Sequence, residues 1–118
     1  MIVAGFGFRT GATEASLVAA LQATGGMPDR LATHADKYAG LRGLGSRLGL
    51  MVVPVPGATL QNIETMTQSS ASRAARGSGS VAEAAALAAA GPNARLICTR
   101  VISPDRMATC ALAEGDGT

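Results

Sequence analysis

Aromatic side chains are scarce in this chain: there is no Trp, one Tyr and two Phe among 118 residues. That scarcity excludes a single-strand nucleic-acid groove built on stacking platforms. It also requires a core of Ala, Leu, Val, Ile and Met whose elements approach closely. Cysteine and histidine are nearly missing too. Cys98 and Cys110 form no Cys-x-x-Cys pair and His34 is the single His, so no zinc constellation is recognisable and both thiols are expected to be inert core groups. Charge of one sign is absent as a block. Ten basic and eight acidic residues are scattered along the chain, which argues against a dedicated nucleic-acid face. No apolar run approaches the roughly twenty residues of a membrane span, and Met1 leads into a strand without a basic, then apolar, leader. These absences predict one soluble, cytoplasmic domain over residues 1–118 with no metal or cofactor, able to bury about two thirds of its unfolded surface.

What is there begins with Gly5-Phe6-Gly7-Phe8-Arg9-Thr10-Gly11-Ala12-Thr13, directly after the apolar run Met1 to Ala4. The pattern reads as strand, glycine turn and helix start, with Thr10 or Thr13 capping a helix from Glu14. Free loop amides, a helix N-terminus and Arg9 would together seat a carboxylate or phosphate. Two better-known loops are excluded. Thr10 stands where a dinucleotide fingerprint needs its third glycine, and no Lys follows Gly11 as a P-loop requires.

Leu17, Val18 and Leu21 give the first helix its spacing, which Gly25-Gly26 ends. A short strand over Arg30 to Thr33 leads into the polar loop His34-Ala35-Asp36-Lys37. A helix from Tyr38 to Leu48 follows, with leucines at 41, 44 and 48, stopped by Gly49. Leu50 to Val55 is continuous, apolar and β-branched, which predicts a strand buried on both faces. Ala58 to Met66 suits a short helix, and 67–79 suits helix and mobile loop carrying Arg73 and Arg76. Ser80-Val81-Ala82-Glu83 has the form of a capping box opening a helix that Gly91-Pro92 ends. Leu96 to Ile102 and Met107 to Leu112 flank Ser103-Pro104-Asp105-Arg106 as a β-hairpin, and residues from Glu114 onward read as a frayed tail.

Strand and helix alternating three times before a hairpin predict an α/β fold. It is a three-layer α/β/α sandwich whose mixed sheet has a parallel first half and a C-terminal antiparallel hairpin. Ligands of such sheets bind beyond the carboxyl ends of the parallel strands. The loops 8–13, 34–37 and 54–57, with the helix start at Ser80, are therefore expected to share one rim. Arg9 and Lys37 would converge there on one pocket suited to several carboxylates.

The residues Gly5-x-Gly7-x-Arg9-x-Gly11, Ala32-Thr33 through Lys37, Gly77 through Ala84, and Met107-Ala108-Thr109 through Ala113 occur in the order seen in one family. The chain resembles the CobE family of cobalamin biosynthesis proteins, which is similar to the C-terminal domain of CbiG. The likeness runs over essentially the whole chain. It implies a corrinoid or precorrin intermediate, edged with acetate and propionate carboxylates, as ligand, and other cobalamin biosynthesis enzymes as partners. For CbiG the implied chemistry is opening of a lactone on the macrocycle with loss of a two-carbon fragment. The free-standing family belongs with the aerobic route. Two positions depart from the CbiG-like pattern: Phe8 where Cys is common, and Arg100 where Lys is usual.

The candidate ligand residues are Gly5, Gly7, Arg9, Thr10, Gly11, His34, Lys37, Ser80 and Glu83. Each has a plainer reading beside the functional one. Glu83 completes the capping box, His34 is a solvated loop residue, and Arg9 and Lys37 are ordinary surface charges. Arg73 and Arg76 fit a solvated helix face. Thr10, Ser78 and Ser80 supply hydroxyls, but one His without a partner spacing makes no Ser-His-Asp set, and no nucleophile is identifiable. Two functions follow from the resemblance and these residues. One is a non-catalytic carrier of a carboxylate-rich intermediate. The other is a hydrolase with loop amides as oxyanion site and Glu83 or His34 as base. A partner subunit acting through its surface is a third.

Overall fold

The computed structural model describes residues 1–60 and 78–117. Alternation in Ile2–Phe8 (β1) sends Val3 to one apolar cluster and Ala4 and Phe6 to another, and every residue from Val3 to Gly7 is buried. A strand covered on both faces belongs at the centre of a sheet. The order is β3-β2-β1-β5-β4, built from β2 (Arg30–His34), β3 (Met51–Val55), β4 (Arg95–Ile102) and β5 (Ala108–Glu114). β1 runs parallel to β2 with Val3 opposite Arg30, and β2 parallel to β3 with His34 opposite Val55. β5 lies antiparallel to β1, pairing Ile2 with Glu114 and Phe8 with Ala108. The mixed sheet with its C-terminal hairpin is the expected one.

Local signals set the helices. Thr13 caps α1 (Glu14–Thr24) in a reciprocal box with Ser16, and Gly25 ends it in the left-handed conformation. A 3₁₀ turn over Ala35–Lys37 precedes α2 (Tyr38–Leu48), and Gly49 closes α2 in the same left-handed way. Leu17, Leu41 and Leu44 from these helices cover one sheet face with Phe6, Leu31 and Cys110. The alanines of α3 (Ser78–Ala90) cover the other with Val3 and Ala32. Small side chains let α3 lie almost on the sheet. A Cβ at Gly5 would stand 2.1 Å from the Ala82 carbonyl oxygen and 2.5 Å from the Ala86 nitrogen.

Four sequence expectations need correction. β3 is an edge strand with Met51 61% exposed, not a strand buried on both faces, and the edge position is what admits Pro54. The tail is pinned, not frayed. Gly115 N–H donates to the Met1 carbonyl, Asp116 N–H to Pro92 and Gly117 N–H to Ala90. α3 is described from Ser78, so Ser80 lies inside the helix and not at its N-cap position. Cys98 is half-buried while Cys110 is buried, so only Cys110 is a core thiol. Burial raises the Cys110 thiol pKa well above its usual range, with the Cys98 charge a smaller cause. The readings made for 61–77, Arg73 and Arg76 included, lie outside the described residues. Among the described residues no helix is long and apolar enough to cross a membrane.

Candidate functional site

The carboxyl ends of β1 and β2 meet the start of β5 at one end of the sheet's strands, because β5 runs antiparallel beside β1. Thr33 Oγ1 donates to the Phe6 carbonyl at 2.9 Å and Thr109 Oγ1 to the Gly7 carbonyl at 3.1 Å, which locks the end of β1 between its neighbours. Two clefts open there, sharing Gly7 and Phe8. The first, about 130 Å³, is walled by Arg9, Arg106, Ile102 and Met107. The second, about 220 Å³, is walled by His34, Asp36, Lys37 and Val81. Arg9 and Lys37 therefore flank Phe8 from adjacent clefts and do not share one pocket.

Lys37 holds its ammonium 5.4 Å from the centre of the Phe8 ring, a cation–π placement that keeps both groups at the rim. Among the described residues the ion pairs within 4 Å join Arg47 with Glu14 and Arg95 with Glu114, and the neutral His34 ring lies 3.8 Å from the Asp36 carboxylate, so among these residues Arg9, Arg106 and Lys37 carry no carboxylate partner. His34 Nδ1 accepts the Asp36 amide hydrogen at 2.9 Å. In the neutral ring that bond leaves the proton on Nε2, beside Gly57. His34 lines the second cleft, with Nε2 on the side of Gly57.

The glycine stretch works differently from its sequence reading. Gly5 and Gly7 belong to β1, and Gly5 meets α3, so its missing side chain serves helix packing. Gly11 alone of the three has a positive φ, +99°, where it turns the chain toward α1. Several amides expected to be free are engaged. Arg9 N–H donates to Met107, Ala12 N–H to Arg9, and Thr13 N–H to Ser16 Oγ. Thr10 is exposed on the loop outside both clefts. Glu83 also lies outside them. Its carboxylate accepts the Arg100 amide hydrogen at 3.0 Å, tying α3 to an irregular stretch of β4, in place of the expected cap.

Arg106, Met107 and Ile102 are cleft residues that the sequence reading did not pick out. Their signal was the Ser103-Pro104-Asp105-Arg106 turn, but only the pairing of β5 with β1 brings that turn beside Arg9. Asp105 organises it. Its carboxylate accepts from Ser103 Oγ at 2.5 Å, Ser16 Oγ at 2.5 Å and the Met107 amide at 3.1 Å. These donors, Ser103 foremost, hold its pKa below the ordinary value. Arg106 takes φ +62°, uncommon for a residue with a side chain.

The cobalamin synthesis G C-terminus family model matches residues 2–113. The structure of cobalamin biosynthesis protein chiG from Agrobacterium tumefaciens matches at 40% identity and TM-score 0.76, over 98% of this chain and 99% of that one. CobE, a protein of the cobalamin (vitamin B12) biosynthetic pathway, matches at 33% identity and TM-score 0.78, over 100% of this chain and 92% of that one. A cobalamin biosynthesis protein G homologue from Sulfolobus solfataricus, 18% identical with TM-score 0.76, shares the fold over 99% of this chain and 37% of its own. No curated protein matches significantly. The resemblance carried by the glycine stretch and the closing strands is thereby confirmed, and the chain belongs to the cobalamin synthesis G C-terminus family, with a role in cobalamin biosynthesis.

Proposed function

We propose that this protein binds a carboxylate-rich corrinoid or precorrin intermediate across the two clefts and holds it or hands it on unchanged. It does so in the cytoplasm, on the aerobic route, with other cobalamin biosynthesis enzymes as partners. The observation that carries this reading is the set of groups around Phe8: Arg9, Arg106 and Lys37 without carboxylate partners among the described residues, and His34 lining the second cleft. Each is a side chain suited to a carboxylate, and Phe8 lies between the two clefts. At about 130 and 220 Å³ each cleft is smaller than the roughly 300–1,000 Å³ of a site that swallows a whole ligand. A macrocycle would lie over both, its carboxylate arms reaching in.

The hydrolytic alternative draws less support from this geometry. Glu83 lines neither cleft, and the His34 lone pair at Nδ1 is occupied by the Asp36 amide. Visible-absorbance titration of the protein with hydrogenobyrinic acid and with earlier precorrins, followed by mass analysis of the recovered pigment, tests the proposal. Binding with unchanged mass is expected. A changed mass would make the protein an enzyme, and no binding would overturn the reading.

A further inference from the structure

Of the three site cations without a carboxylate partner among the described residues, two line the same cleft. Arg9 follows β1 and Arg106 closes the β4–β5 turn, and the Arg9 amide donates to the Met107 carbonyl at 3.0 Å, which fastens the two segments side by side. Guanidinium groups do not shed their protons, so this small cleft, about 130 Å³, is lined by two residues that stay positively charged. The acid nearest Arg106 in sequence does not neutralise it. Asp105 is turned away into the hydroxyls of Ser103 and Ser16 and the Met107 amide. The Arg106 amide donates to the Ser103 carbonyl at 2.8 Å, and the backbone at Arg106 is left-handed, so the turn presents this side chain from a fixed frame. Ile102 and Met107 supply the apolar part of the cleft wall.

We infer that Arg106 and Arg9 form a clamp for one carboxylate arm of the ligand and discriminate that arm from its carboxamide. This rests on the binding reading above and deepens it by assigning the charge state of the group recognised. A carboxylate accepts from both guanidinium forks, whereas a primary amide faces those donors with donors of its own and brings no charge. The volume suits one short acidic arm and excludes the ring. Asp105 acts as a positioning residue, keeping the turn in place without itself pairing with Arg106.

The test compares hydrogenobyrinic acid with the same macrocycle after its side-chain carboxylates are converted to primary amides. Dissociation constants are measured for the wild-type protein and for Arg106→Gln, Arg106→Lys and Arg9→Gln, each first shown by thermal unfolding to be folded. Charge-assisted bonds of this kind imply a loss of roughly tenfold to a hundredfold in affinity for the acid in Arg106→Gln and Arg9→Gln. Arg106→Lys is expected to fall between, since an ammonium keeps the charge and loses the fork. The amidated macrocycle is expected to bind the wild type and Arg106→Gln alike. Undiminished binding of the acid by both Gln variants would overturn the clamp while leaving the binding reading intact. Equal losses for acid and amide would overturn it as well, by showing that shape and not charge is read. Failure of the wild type to bind the acid would overturn both.

Discussion

The Asp105 carboxylate accepts a hydrogen bond from the Ser16 hydroxyl at 2.5 Å across 89 positions of sequence, bolting the β4–β5 turn to the first turn of α1. Ser16 is also the residue that completes the cap of α1 with Thr13. One hydroxyl therefore couples the start of the helix to the turn that carries Arg106.

Because folding lowers the pKa of Asp105, its contribution to stability is fully present above the ordinary value of 3.8 and is lost as pH falls through the lower folded value. Asp105→Asn is expected to unfold at lower temperature than the wild type near neutral pH, with the gap narrowing below about pH 4. Thermal unfolding followed by circular dichroism from pH 7 to pH 2.5 measures it. A gap independent of pH would show that the carboxylate charge does not contribute.

Gly5→Ala is expected to be among the most damaging single-methyl changes in the chain. The added carbon would meet backbone atoms of Ala82 and Ala86, at 2.1 and 2.5 Å, which cannot move without shifting α3 off the sheet. Overpacking of this kind destabilises by about 1–3 kcal/mol and often more against backbone. Urea denaturation reads the loss directly, and an unchanged midpoint would contradict the close packing of α3 on β1.

Glu83→Ala removes the acceptor for the Arg100 amide and is expected to lower stability by about 1 kcal/mol while leaving the affinity for a corrinoid within twofold of wild type. Denaturation and ligand titration on the same preparation separate the two effects. Loss of binding at full stability would return Glu83 to the site.

His34 should be found as the Nε2–H tautomer when neutral, since its Nδ1 accepts the Asp36 amide. Long-range proton–nitrogen correlation spectra above pH 8 distinguish the tautomers. His34→Ala is expected to weaken carboxylate binding about three- to tenfold, the loss of one polar side chain lining the second cleft.

Cys98 is half-buried on β4 and Cys110 is buried with its thiol pKa raised, so a thiol reagent at pH 8 is expected to modify Cys98 first and Cys110 only on unfolding. Mass spectrometry of the protein after brief treatment counts the adducts and locates them. Two rapid adducts would contradict the burial of Cys110.

Much of the architecture was legible in the chain because its signals are local. The bounds of α1 and α2 follow from Thr13, Gly25 and Gly49, whose capping chemistry involves neighbours within a few residues. The hairpin was legible from alternation around one Pro-containing turn. β3 misled for a related reason: an apolar, β-branched run states how a strand packs, not where it stands in the sheet, and only the order β3-β2-β1-β5-β4 makes it an edge. Glu83 misled because Ser-x-x-Glu satisfies a cap on paper, whereas its partner in the fold is 17 residues away.

By itself the sequence determined the alternation of strands and helices, the small-residue core, the family, and the placing of Arg9, His34 and Lys37 at or just past strand ends. Those properties depend on spacing and on residue type. Tertiary structure alone decided that Gly5 is a packing residue, that Asp105 reaches Ser16, and that Arg106 joins Arg9 beside Phe8. Each of these is a contact between distant segments that no local propensity encodes, and the last two are made only once β5 pairs antiparallel with β1.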